Sequence, residues 1–174
     1  MAAGDLTILE QASYAGRGGR LYNVAAGTPI YAGEPVQIRA VGGIIVEPSL
    51  TSTPVCSTTA GVEGLFVGVA TTNSTNTASA AGTVYVMPAD SKITYLANPD
   101  TAASWDTQAE YDALTGKRVL LKNSVSVSAT PTSGTYTLLA SDSANNGCTV
   151  QAMSILEHPA KVAIAFRTGT SCLL

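Results

Sequence analysis

The sequence has little charge, few aromatic residues and a single histidine. Charged residues make up 12% of its 174 residues, about half the usual share of ~25%. One histidine, His158, leaves little material for acid–base chemistry. Nine basic against twelve acidic residues argue against a surface for duplex nucleic acid. We therefore expect neither an enzyme nor a protein that binds nucleic acid directly.

Long apolar runs are also missing. Runs such as residues 43–46 fall far short of the ~20 residues that span a bilayer. Residues 1–5 lack the basic and apolar regions of a secretory signal. The spacing of the three cysteines fits neither a Cys-x-x-Cys site nor a disulfide framework: Cys56, Cys148 and Cys172. A disulfide between Cys148 and Cys172 remains an alternative. These features predict a soluble chain made in the cytoplasm, with no membrane partner, no metal and no cofactor.

Threonine and serine replace the missing charge, with 22 Thr and 16 Ser. Apolar residues alternate with polar or small ones at a period of two, which is typical of half-buried strands. Turn residues separate these segments. The pattern predicts an all-β fold, mainly an antiparallel β-barrel or β-sandwich. The predicted strands are residues 6–11, 20–24, 36–39, 43–46, 65–70, 83–87, 93–96, 118–122, 124–128, 136–140, 148–153 and 161–167.

The sequence pattern near residues 107–115 predicts one short helix. Thr107 and Glu110 have the spacing of a capping box, and Gly116 stands where a left-handed C-terminal residue belongs. A helix this short predicts a lid or plug on a barrel. We expect Ala109 and Leu114 to face the core and Trp105 to pack at the start of the helix.

The first residues stand apart from the rest of the chain. We predict an extended N-terminal arm over residues 1–22 and a single β-rich domain over 23–174, with a subdivision near residue 99 as an alternative. An arm of this kind can add a strand to the sheet edge of a neighbour. We expect the two long loops, 48–64 and 71–81, to be functional or mobile. The candidate partner-binding residues all lie in the arm: Leu6, Ile8, Tyr14, Arg17 and Arg20.

Four motifs suggest chemistry, and each has a plainer interpretation. The glycine run that ends at Leu21 lacks a third glycine and precedes a strand, so it does not predict a phosphate site. His158 has no second ligand at metal spacing. Asp106 and Glu110 are typical partners of a helix dipole. Residues 142–147 lack the ligand spacing of a calcium loop and predict a hairpin turn.

Several stretches within residues 25–98 resemble the capsid decoration (cement) proteins of tailed-bacteriophage heads. The resemblance implies a non-enzymatic virion protein on the outside of the capsid, commonly a homotrimer, that binds the major capsid protein and stabilises the head. At this length we do not expect the chain to be the major coat protein itself. The matching stretches are Ala25–Ile30 running into Ala32–Val36, Gly64–Ala70, Gly82–Pro88 and Ile93–Asn98.

Three alternatives remain at this point. A tail or baseplate protein of a phage would have a similar composition and strand pattern. A carbohydrate-binding β-sandwich would use Trp105 and tyrosines as a stacking platform, which a 6% aromatic content supplies poorly. A hydrolase would depend on His158, but the chain has no Gly-x-Ser-x-Gly elbow.

Overall fold

The computed structural model describes residues 6–11, 19–39, 45–48, 65–88, 92–99, 105–123, 136–139 and 148–166. Within them it is mostly strand in mainly antiparallel sheets with one short helix, so the predicted all-β class is confirmed. The elements are β1 (Thr7–Gln11), β2 (Arg20–Val24), β3 (Pro35–Arg39), β4 (Ile45–Pro48), β5 (Leu65–Ala70), β6 (Gly82–Pro88), β7 (Ile93–Pro99), α1 (Gln108–Leu114), β8 (Arg118–Asn123), β9 (Tyr136–Leu139), β10 (Cys148–Val150) and β11 (Val162–Phe166).

Strands β2 to β6 form a first unit, residues 20–88. They pair in the order β2-β4-β3-β5-β6, and β6 pairs back with β2, as in a small barrel. The pairings are antiparallel except for the short parallel one between β2 and β4. That parallel pairing joins Asn23 to Ile45 and Val24 to Val46.

Strands β7 to β11 form a second unit, residues 93–166, with the same connectivity. They pair in the order β7-β9-β8-β10-β11, and β11 pairs back with β7. The one parallel pairing again joins the first and third strands of the unit, Asn98 to Thr137 and Pro99 to Leu138. Strand order, pairing and direction are therefore the same in both units.

The registers of the two units also agree. Val36 of β3 lies opposite Gly68 of β5, and Val119 of β8 lies opposite Cys148 of β10. The loops between the last two strands, residues 71–81 and 151–161, are equally long. The chain therefore contains one five-stranded topology twice. The register makes the following pairs equivalent: Leu21 with Leu96, Val36 with Val119, Ile38 with Leu121, Tyr85 with Ala163, and Val86 with Ile164.

Each unit has its own hydrophobic cluster. The smaller cluster belongs to the first unit and includes Val24, Ile30, Val36, Ala70, Val84 and Val86. The larger one lies mainly in the second unit, where the rings of Tyr95 and Phe166 meet edge to face at 5.2 Å. Val69 and Met87 of the first unit, with Leu6, belong to this larger cluster. The outer side of β5 and β6 thus packs against the second unit.

Part of the predicted arm lies in the chain's own sheet. β1 pairs antiparallel with β7, with Thr7 opposite Leu96 and a register shift between Ile8 and Glu10. Leu6, just before β1, is 4% exposed. Residues 1–5 and 12–18 lie outside the described residues, and the boundary between arm and domain stays a prediction. The strand pairing divides the two units between Pro88 and Ile93, whereas the alternative boundary near residue 99 falls at the end of β7, within the second unit.

The helix forms where it was predicted. Thr107 is its N-cap, and both hydrogen bonds of the capping box with Glu110 are present. Gly116 has φ 80°, as expected for the residue that ends the helix. The core-facing residue is Tyr111, whereas Ala109 is exposed, so the expectation for Ala109 was wrong. Tyr111 lies on the side of α1 that faces the loop 151–161, and Leu114, as expected, packs against the core.

The strands agree closely with the periodicity. Val162, Ile164 and Phe166 share the core side, and the neighbouring Ala163 and Ala165 are buried as well. Gln37 differs from expectation, because it is only 3% exposed although it alternates with apolar residues on β3. The predicted strand 124–128, the turn 142–147 and residues 49–64 of the first long loop lie outside the described residues.

Candidate functional site

The clearest surface feature of the first unit is an exposed apolar pair. Leu21 and Tyr85 lie directly opposite each other on β2 and β6, and they are 55% and 47% exposed. The next pair on the same side is Asn23 opposite Thr83. We call these four residues the Leu21–Tyr85 face. It has no charged side chain, and directly opposed side chains of this size contact each other along the strand pair.

A groove of about 250 Å³ adjoins this face. It lies where β1 meets the first unit, and the backbone N–H of Leu6 donates to the carbonyl of Gly33 there at 3.0 Å. Thr71 connects the groove to the face, because its N–H donates to the carbonyl of Tyr85 at 2.8 Å. The lining is mainly apolar or small: Leu6, Thr7, Ala32, Gly33, Val69, Ala70 and Thr71. The groove and the face are therefore adjacent, and no residue of either one is charged.

The loop 71–81, beside this surface, is held in place by its own polar side chains. The amide of Asn76 donates to the carbonyls of Ala25 and Thr28 at 2.7 and 2.9 Å. The hydroxyl of Ser74 accepts from the N–H of Ile30 at 2.9 Å and donates to the Asn76 amide oxygen. The Ser/Thr/Asn composition, which predicted a loop, therefore supplies the hydrogen bonds that fix it.

The main chain approaches this loop closely at Gly82. A Cβ atom built on Gly82 would lie 2.1 Å from the backbone nitrogen of Asn76, well inside van der Waals contact. Only glycine lets β6 begin this close to the loop. The hydroxyl of Thr75 accepts from the N–H of Thr83 at 2.9 Å, so the loop and β6 are joined directly after this point.

The equivalent loop of the second unit, 151–161, is fixed by the helix. The side chain of Gln108 donates to the carbonyl of Met153 at 3.1 Å and accepts from the N–H of Ile155 at 3.1 Å. The hydroxyl of Tyr111 donates to the carbonyl of Gln151 and accepts from the N–H of Ala163, each at 2.9 Å. In both units carboxamide side chains therefore tie the loop between the fourth and fifth strands to the connection between the first and second strands. Gln108 does so in the second unit, and Asn76 does so in the first, where the side-chain oxygen of Asn73 also accepts from the N–H of Ala32 at 3.0 Å.

The electrostatics of the helix start fit a capping role. The hydrogen bond and the negative charge of Glu110 raise the pKa of Asp106. Hydrogen bonding from Thr107 lowers the pKa of Glu110. Both carboxyl groups are exposed, and the Glu110 carboxylate accepts from the N-cap N–H at 3.2 Å. This arrangement agrees with the interpretation of these carboxylates as helix-terminal partners.

Three of the five predicted partner-binding residues lie in the described part of the chain, and their surroundings differ. Leu6 lines the groove, Ile8 is opposite Tyr95 in the β1–β7 pairing, and Arg20 is exposed on β2 next to Leu21. Tyr14 and Arg17 lie outside the described residues. The structure thus brings Leu6 to the groove and Arg20 to the edge of the Leu21–Tyr85 face.

Other candidate residues have different surroundings. Trp105 is 2% exposed and packs edge to face on Tyr111 at 6.1 Å, so it provides no stacking platform on the surface. His158 is half-buried, and its carbonyl accepts from the N–H of Lys161. Cys148 is buried in the larger core. Cys56 and Cys172 lie outside the described residues.

Two kinds of feature are not found in the described part of the chain, a cluster of metal ligands and a membrane-spanning helix. No three histidine, cysteine, aspartate or glutamate side chains in those residues are grouped to hold a metal ion. No helix there has the length and apolar character needed to cross a membrane.

Sequence reasoning did not single out Leu21 or Tyr85. The alternation in Arg20–Val24 could have identified Leu21. Tyr22 and Val24 lie on the inner side of the strand, so Leu21 lies on the outer side with the polar Asn23. Tyr85 stands in the same way between Val84 and Val86, which are buried. Comparison with protein-family models, with curated proteins and with solved structures finds no match to this chain.

Proposed function

We propose that this chain is a structural virion protein, a capsid decoration protein that binds the outside of a tailed-phage head. In this role it contacts the major capsid protein, forms a homotrimer and stabilises the contacts between coat subunits. It carries out no reaction. The resemblance of residues 25–98 to such proteins gives the class, and the surface of the first unit supports binding to another protein.

The observation that carries the proposal is the uncharged surface formed by the Leu21–Tyr85 face and the groove. Apolar side chains that lie next to each other on a polar protein mark interaction sites more often than single exposed ones do. Tyrosine is also enriched at the centres of protein interfaces. Leu21 and Tyr85 are half-exposed neighbours, and the groove extends the apolar area towards Val69.

The fixed loops support a static binding role. A partner that binds a preordered surface loses less conformational entropy than one that must order a loop. Asn76 and Ser74 hold the loop beside the groove, and Gln108 holds the equivalent loop of the second unit. A decoration protein that must resist mechanical load on a capsid benefits from such rigidity.

The test is quantitative mass spectrometry of density-purified particles from the source lysate. We expect a copy number comparable to that of the coat subunit. A few copies for each particle would instead assign the chain to the tail or baseplate, which is the second candidate. Absence from particles would overturn the virion proposal. A glycan panel read by Trp105 fluorescence serves as the control for carbohydrate binding, and we expect no response because Trp105 is buried.

A further inference from the structure

We draw no further inference here: the strongest candidate, the Leu21–Tyr85 face on β2 and β6 with the groove beside it, belongs to the site already described, and nothing in the structure shows what covers it.

Discussion

Gly33 and Gly116 occupy the same position in the two units. Each precedes the second strand of its unit with positive φ, 91° and 80°. The Gly33 N–H donates to the carbonyl of Ala70 at 2.8 Å, and the Gly116 N–H donates to that of Val150 at 2.9 Å. The residue after each glycine accepts a bond in return from the same partner. The duplicated topology thus extends to the backbone conformation of its turns.

Replacing Gly116 tests this conformation directly. A Cβ on Gly116 meets no atom within 4 Å, so Gly116→Ala adds only the cost of a left-handed backbone. We expect a loss of about 1–2 kcal/mol in the free energy of unfolding, measured by urea titration. Gly116→Asn is the control, since asparagine tolerates this region better, and it should recover part of the loss. Equal stability of the alanine variant and the wild type would contradict the assignment.

The carboxamide of Asn76 is expected to stabilise the first unit. Asn76→Ala leaves the carbonyls of Ala25 and Thr28 without their donor, which we expect to cost about 2 kcal/mol in unfolding free energy. Asn76→Asp keeps the size but not the donor, and we expect a similar loss. Ser79→Ala, at an exposed position in the same loop, should change stability by less than about 0.5 kcal/mol. If Ser79→Ala lowered the unfolding free energy as much as Asn76→Ala, the effect would belong to the loop in general and not to the Asn76 carboxamide.

The hydroxyl of Tyr111 is expected to make stability depend on alkaline pH. Burial raises the pKa of Tyr111 above its ordinary value of 10.0; the nearby Asp112 charge raises it further, and hydrogen bonding from Ala163 opposes the shift. The folded protein then keeps a proton that the unfolded chain releases. Its free energy of unfolding should therefore decrease as the pH rises above about 10.

Tyr111→Phe separates this effect from other alkaline effects. At pH 8 it should cost about 1–2 kcal/mol, because the Gln151 carbonyl and the Ala163 N–H lose their partner. Between pH 8 and 10.5 the variant should lose less stability than the wild type. Tyr31→Phe, at an exposed tyrosine, is the control and should behave as the wild type. An equally steep alkaline loss in the Tyr111 variant would refute the assignment.

Leu6 tests whether the start of the predicted arm belongs to the folded core. Leu6→Ala removes a side chain that is 4% exposed and packed in the larger cluster. We expect it to cost about 2–3 kcal/mol in thermal or chemical unfolding. The exposed neighbour serves as control, and Thr7→Ala should cost less than about 0.5 kcal/mol. If Leu6→Ala leaves stability unchanged but weakens binding to heads, residue 6 acts in the arm and not in the core.

Local sequence signals predicted nearly every element but not the relation between the two halves. Alternation and turn residues identified strands such as Arg20–Val24, and the capping residues Thr107 and Glu110 identified the helix. The duplication was invisible because the offset between equivalent residues changes along the chain. Leu21 corresponds to Leu96, Val36 to Val119 and Val86 to Ile164, each with a different separation. No single shift of the sequence aligns the halves.

The candidate site needed the structure for a similar reason. Exposure of Leu21 and Tyr85 depends on the pairing of β2 with β6, two strands far apart in sequence, and on what lies beside β2. Alternation marks an outer side but does not tell whether another element covers it. Leu96 and Ala163 follow the same pattern and are buried. The pairing of strands that are far apart in the sequence determines which of these positions are exposed and which are buried.

The position of β1 has a consequence for synthesis of the chain on the ribosome. β1 is made before β2 to β7, yet its pairing partner β7 and most of the cluster around Leu6 are encoded after residue 87. At about 5–20 residues per second, several seconds pass before β7 emerges. The first unit can close during that interval, because β2 and β6 pair with each other. β1 is therefore expected to reach its place only after a later-translated unit has already folded.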